Sequence, residues 1–141
     1  VINDSNTTTI EFIRGRTSTR ASDRPVLIGS YPQGKIDLDD IEQFGFGEGI
    51  SSASTLVHEI QEQYRKQVHG EAYGPAHASG IASEERAAGA TRGAATSRTI
   101  SATTTEITVP YTYPDGRIVE VTFRVTDGNV TSVSRRTRRT P

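Results

Sequence analysis

The stretch Arg117-Ile118-Val119-Glu120-Val121-Thr122-Phe123-Arg124-Val125 sets Val119, Val121, Phe123 and Val125 on one face and Glu120, Thr122 and Arg124 on the other. A period of two is the mark of a half-buried strand. Before it, Glu106-Ile107-Thr108-Val109 and Tyr111-Thr112-Tyr113 read as a partner strand, joined through the turn Pro114-Asp115-Gly116. After it, Asp127-Gly128-Asn129 turns the chain again, and Val130, Ser132 and Ser134 begin a last strand. The reading is a three-stranded antiparallel meander over about residues 106–134.

Upstream of the meander, Ala87 to Thr105 is almost wholly Ala, Gly, Thr, Ser and Arg. With Ile100 as its one large apolar residue, the segment 89–103 is expected to be flexible, mobile or extended rather than packed. Two helices precede it. The first is expected from Ser51 to Val68: Ser51 or Ser52 supplies the N-cap, and Gly70 stops the helix. Ala53, Val57, Ile60, Tyr64 and Val68, widened by Leu56, form an apolar stripe expected to face the core. The second helix is expected from Pro75, in its first turn, to about Ala88. Ile81 is its only large apolar residue and Gly80 weakens it.

The N-terminal third carries shorter signals. Residues 8–13, Val26-Leu27-Ile28-Gly29 after Pro25, and Lys35-Ile36-Asp37-Leu38 read as strands, with a loop from Arg14 to Arg24. Tyr31-Pro32-Gln33-Gly34 reads as a turn and Asp39 to Phe44 as a short helical turn, while Gly45-Phe46-Gly47-Glu48-Gly49 lacks the nucleotide-binding spacing. The whole is read as one α+β domain over residues 1–141: a helical pair packed on an antiparallel sheet that ends in the meander.

Only 33% of the 141 residues are hydrophobic and none is Trp or Met, so the core is expected to be thin. The net charge of −1 argues against nucleic acid as a partner, and the run Arg135-Arg136-Thr137-Arg138-Arg139 reads as a solvated tail. No cysteine is present, which excludes disulfides, thiolate catalysis and cysteine zinc fingers. No apolar run reaches the roughly 18 residues of a membrane span. The missing methionine suggests a piece of a longer polypeptide.

The chemistry concentrates in His58-Glu59-Ile60-Gln61-Glu62. Residues four apart lie above one another on a helix, so His58 and Glu62 can chelate one ion. Glu59, turned by about 100° from His58, is placed to activate a metal-bound water instead. This is the logic of the His-Glu-x-x-His zinc motif, with a carboxylate as the second ligand.

Residues 54–85, from Ser54-Thr55-Leu56-Val57-His58-Glu59 through Tyr73-Gly74-Pro75-Ala76-His77 to Glu84-Glu85, resemble the zincin-type metallopeptidase domains at the C-termini of bacterial polymorphic toxins. The resemblance spans 32 of 141 residues and departs from the commoner pattern at Glu62, where His is usual. It implies a zinc-dependent hydrolase with Glu59 as its catalytic base, acting on a protein or peptide substrate. It also implies a toxin or effector domain of a larger secreted protein, secreted or delivered into a target cell, with an immunity or parent-protein partner. The exchange at Glu62 keeps an inactive descendant of a peptidase fold as one alternative. A non-enzymatic interaction module that uses the sheet is the other.

A tight antiparallel hairpin of the two helices places Glu84 or Glu85 nearest the site as third ligand. If Tyr73-Gly74-Pro75 folds the chain back, His77 reaches it. Imidazole is the better zinc ligand, so the expected metal set is His58, Glu62 and His77, with Glu84 the runner-up. His69 is expected at the surface, Tyr64 in the core, Tyr73 in the loop, and Arg65 beside Glu62.

Overall fold

Residues 5–23 and 26–140 are described by the computed structural model of the chain. The meander is its frame: β6 (Thr104–Thr112), β7 (Arg117–Thr126) and β8 (Asn129–Arg139) pair antiparallel in sequence order. Val119, Val121 and Phe123 face the core, as their alternation predicts, beside Val109, Tyr111 and Val130, while Val125 is partly buried against them.

At one edge of this sheet the structure agrees with the extended reading of the sequence, and at the other it does not. The segment 89–103 is extended: β4 (Thr91–Arg92) and β5 (Thr96–Thr99) both pair with β6 and complete a five-stranded sheet. Backbone ladders hold it where apolar anchors are lacking, and Ile100 stays exposed. At the other edge, the run Arg135–Arg139 is exposed to solvent but is no tail, because β8 continues through it. Arg135 donates to the carbonyls of Phe44 (2.5 Å), Ile50 (2.6 Å) and Glu48 (2.9 Å), and Arg138 pairs with Glu120 at 2.6 Å. The strand is extended by what its guanidinium groups reach.

The two helices pack as an antiparallel pair. α2 (Ser52–His69) starts from a reciprocal cap between Ser51 and Ser54 and stops at Gly70, which is left-handed at φ 67. Its expected orientation is reversed. Ser54, Thr55, His58, Glu62 and Gln63 are buried, whereas Ala53 and Val57 of the apolar stripe are exposed and Ile60, Tyr64 and Val68 half-buried. Tyr64 therefore lies outside the core and stacks edge-on with His69. α3 (Tyr73–Ala88) begins at Tyr73 rather than Pro75, so the link is short and brings Gly80 against His58.

A smaller layer closes one side: β1 (Glu11–Ile13), β3 (Lys35–Asp37) and β2 (Gly29–Ser30) form a mixed sheet in that order, followed by α1 (Leu38–Gln43). The strand expected at Val26–Gly29 begins only at Gly29, because Ile28 turns the backbone at φ 64. Gly29 N–H donates back to the Leu27 carbonyl at 2.7 Å, a γ-turn centred on Ile28. Pro25 and Arg24, invoked for that strand and the preceding loop, lie outside the described residues. Asp40 joins this layer to the meander, accepting from the N–H of Ile28 (2.9 Å) and of Val130 (2.8 Å). Among the described residues no helix is long and apolar enough to cross a membrane.

Candidate metal centre

Consecutive turns of α2 put His58 Nε2 and Glu62 Oε2 3.3 Å apart on its inward face. From α3, His77 Nδ1 approaches both, 3.2 Å from His58 Nε2 and 2.9 Å from Glu62 Oε2. Three donor atoms thus converge on one point. Zinc bonds of about 2.0–2.1 Å in a tetrahedron separate their donors by roughly 3.3 Å, so the set fits such an ion. His58, Glu62 and His77 can hold a metal, with His58 and Glu62 buried and the His77 side chain one-third open to solvent. A fourth position therefore has an approach through the His77 side.

Behind His58 stands Glu84. Its Oε1 is 2.8 Å from His58 Nδ1 and accepts from Arg92 Nη1 at 2.9 Å, and its Oε2 accepts from the hydroxyl of the fully buried Tyr111. With Nδ1–H pointed at a carboxylate, a neutral His58 would present the Nε2 lone pair to the donor triangle. Glu84, the runner-up ligand, thus sits on the opposite side of the ring from the triangle. Burial alone would raise the Glu84 pKa, but His58, the Arg92 charge and the Tyr111 hydroxyl hold it below the usual carboxylate range. Burial works against a charged His58 too, yet its hydrogen bonds to Glu62 and Glu84 prevail and carry it to about 9. Glu62 is likewise lowered, since hydrogen bonds from His58 and His77 outweigh its burial.

The helices meet here because Gly80 has no side chain. A Cβ at that position would lie 2.9 Å from the His58 carbonyl and 3.1 Å from its Nε2. What weakens α3 as a helix is what lets it approach α2.

Glu59 is not one of the three donors, yet it lines the same cleft as His58 and His77. Its carboxyl packs against Gly29, where any side chain would collide with it, and has no hydrogen-bond partner among the described residues. Burial pushes its pKa up to about 7, with the Glu62 and Glu84 carboxylates adding to the rise and His58 opposing it. Glu59, His58 and His77 line one wall of a cleft of about 380 Å³, whose floor is Phe44, Ile50, Val109 and Phe123. Tyr73 stands at this cleft from the first turn of α3, its ring stacked on His77 at 5.0 Å.

The remaining sequence candidates fall away from the centre. Arg65 pairs with Glu71 rather than Glu62. Glu85 accepts from the Arg92 N–H, and His69 is exposed beside Tyr64. The hairpin register expected for the helices placed His77 opposite Val68; the earlier start of α3 and the reach of the Glu62 side chain close that gap. Sequence reasoning missed Arg92, Tyr111, Gly80 and Gly29. One signal existed: His77, Gly80 and Glu84 are spaced by three and four, which is one face of α3.

No family model, curated protein or solved structure matches the chain. The functional argument therefore rests on these residues.

Proposed function

We propose that the chain is a zinc-dependent hydrolase of the metallopeptidase type, acting as a toxin or effector domain of a larger secreted protein. One observation carries the hydrolase reading. Glu59 is a half-buried carboxyl without a hydrogen-bond partner among the described residues, in the cleft that His58 and His77 also line, and burial pushes its pKa up to about 7. Two histidines and a glutamate are a known donor set of catalytic zinc sites. Bound zinc would supply an electrophile and a water acidified to a pKa of about 7. Glu59 takes the proton from the attacking water and returns it to the leaving amine. His58, held by Glu84, keeps the donor set aligned, and the apolar floor keeps bulk water from Glu59.

The test is a zinc titration paired with turnover of a peptide library. One zinc per chain is expected, and Glu59→Gln should keep it while losing about 10²–10⁴ in rate, the usual size of general-base catalysis. His58→Ala should lose both. A wild type that binds no zinc at neutral pH would leave an interaction module in place of an enzyme.

A further inference from the structure

The cleft wall carries a cation, Arg92, whose pairing with Glu84 uses only part of its guanidinium. Arg92, the last residue of β4, lines the cleft beside Glu84 of α3, with 20% of its side chain exposed. Its backbone N–H goes to Glu85 and one terminal nitrogen, Nη1, to Glu84. A guanidinium has five N–H donors in a planar fork. Its remaining donors have no partner among the described residues.

A cation at the edge of an apolar cleft matches a ligand with an anionic group beside an apolar one. The floor is Phe44, Ile50, Val109 and Phe123, and at about 380 Å³ the cleft is at the small end of the roughly 300–1,000 Å³ found for small-molecule sites. That size suits one residue of a substrate rather than a long peptide.

We propose that Arg92 anchors the free carboxylate of the substrate, and that the bond cleaved is the amide of an acylated amino acid whose side chain is bulky and apolar, as at the C-terminus of a short peptide. This deepens the hydrolase reading and rests on it. Water adds across the amide: the new C–O bond forms on the acyl carbon, the C–N bond breaks, and the amine leaves with the proton carried by Glu59. The side chain of the released amino acid occupies the apolar floor while its carboxylate meets the Arg92 fork.

The experiment compares N-acetyl-phenylalanine with its C-terminal amide, which has the same shape without the charge. Both are titrated calorimetrically into zinc-free and zinc-loaded protein, in wild type and Arg92→Gln. In both forms of the wild type the acid should bind at least about tenfold tighter than the amide, as charge-assisted hydrogen bonding implies. That ratio should fall to near one in Arg92→Gln. Equal binding of acid and amide to the wild type overturns the proposal, as does a preference that survives in Arg92→Gln. If Arg92→Gln does not fold, the ratio in zinc-free wild type decides, because no metal is then present to attract the acid. Zinc counted in the same samples separates the two readings. Zinc without an acid preference sinks the anchor alone, and an Arg92-dependent preference without zinc sinks the hydrolase.

Discussion

His58 is held from two sides, and the two holds have different chemistry. Glu62 lies on the Nε2 side, within the donor triangle, whereas Glu84 touches only Nδ1. Replacing Glu84 by Gln therefore removes charge and one acceptor from behind the ring without removing a ligand. Zinc affinity should fall about 10–100-fold, the usual cost of losing such a partner. Cobalt substituted for zinc should give the same visible bands in Glu84→Gln as in the wild type. A changed cobalt spectrum would mean that Glu84 is a ligand after all. The identity of His58 and Glu62 as a pair was legible from their spacing on one helix. The role of Glu84 was not, since it depends on how far α3 is rotated against α2, which no local pattern records.

Elements carry the next layer of explanation. α2 was legible in its limits, through Ser51 and Gly70, and illegible in its orientation. The hydrophobic stripe rule assumes that the inward face is apolar, but here the inward face is built of His58, Glu62 and Gln63, whose polar atoms satisfy one another and their neighbours across the interface. α3 was read as weak because of Gly80. Exchanging Gly for Ala in an exposed helix stabilises it by up to about 1 kcal/mol. Gly80→Ala should do the reverse here, lowering both melting temperature and zinc affinity, because the new methyl meets the His58 carbonyl and ring. A stabilised variant with unchanged zinc binding would show that the helices do not meet at this point. The meander was the most legible element, since alternation and turn residues agree. The strand continuation through Arg135 was hidden because its targets are loop carbonyls distant in sequence.

At the scale of the molecule, Asp40 is a buried tie between the N-terminal layer and the sheet. Burial, partly offset by the two backbone N–H donors, raises its pKa from 3.8 to about 6. The folded state thus binds its proton more tightly than the unfolded chain does. Asp40 favours folding most below about pH 4, and that contribution is lost as pH rises through about 6. Other carboxylates, among them Asp23 and Glu42, are lowered and slope the opposite way, so the contrast with a variant isolates Asp40. Asp40→Asn has no charge to titrate and one oxygen for two donors. It should be less stable than the wild type throughout, with the gap narrowing from pH 4 to pH 6 in denaturant unfolding. A gap that stays constant or widens would contradict the burial of Asp40 as a titrating group.

On the proposed zinc reading, the inward polar face of α2 would also make the ion a component of the chain's own durability. An ion that binds only the folded form adds RT ln(1 + [ion]/Kd) to stability, about 2.7 kcal/mol at a hundredfold excess over Kd. Melting temperature should climb with the logarithm of free zinc and level off nowhere in the accessible range. The carboxylates of Glu62 and Glu84 flank the one imidazole of His58 from its two nitrogens, a charge that a bound cation would offset. The chain's lifetime against proteases would then follow the zinc supply of whatever compartment it enters.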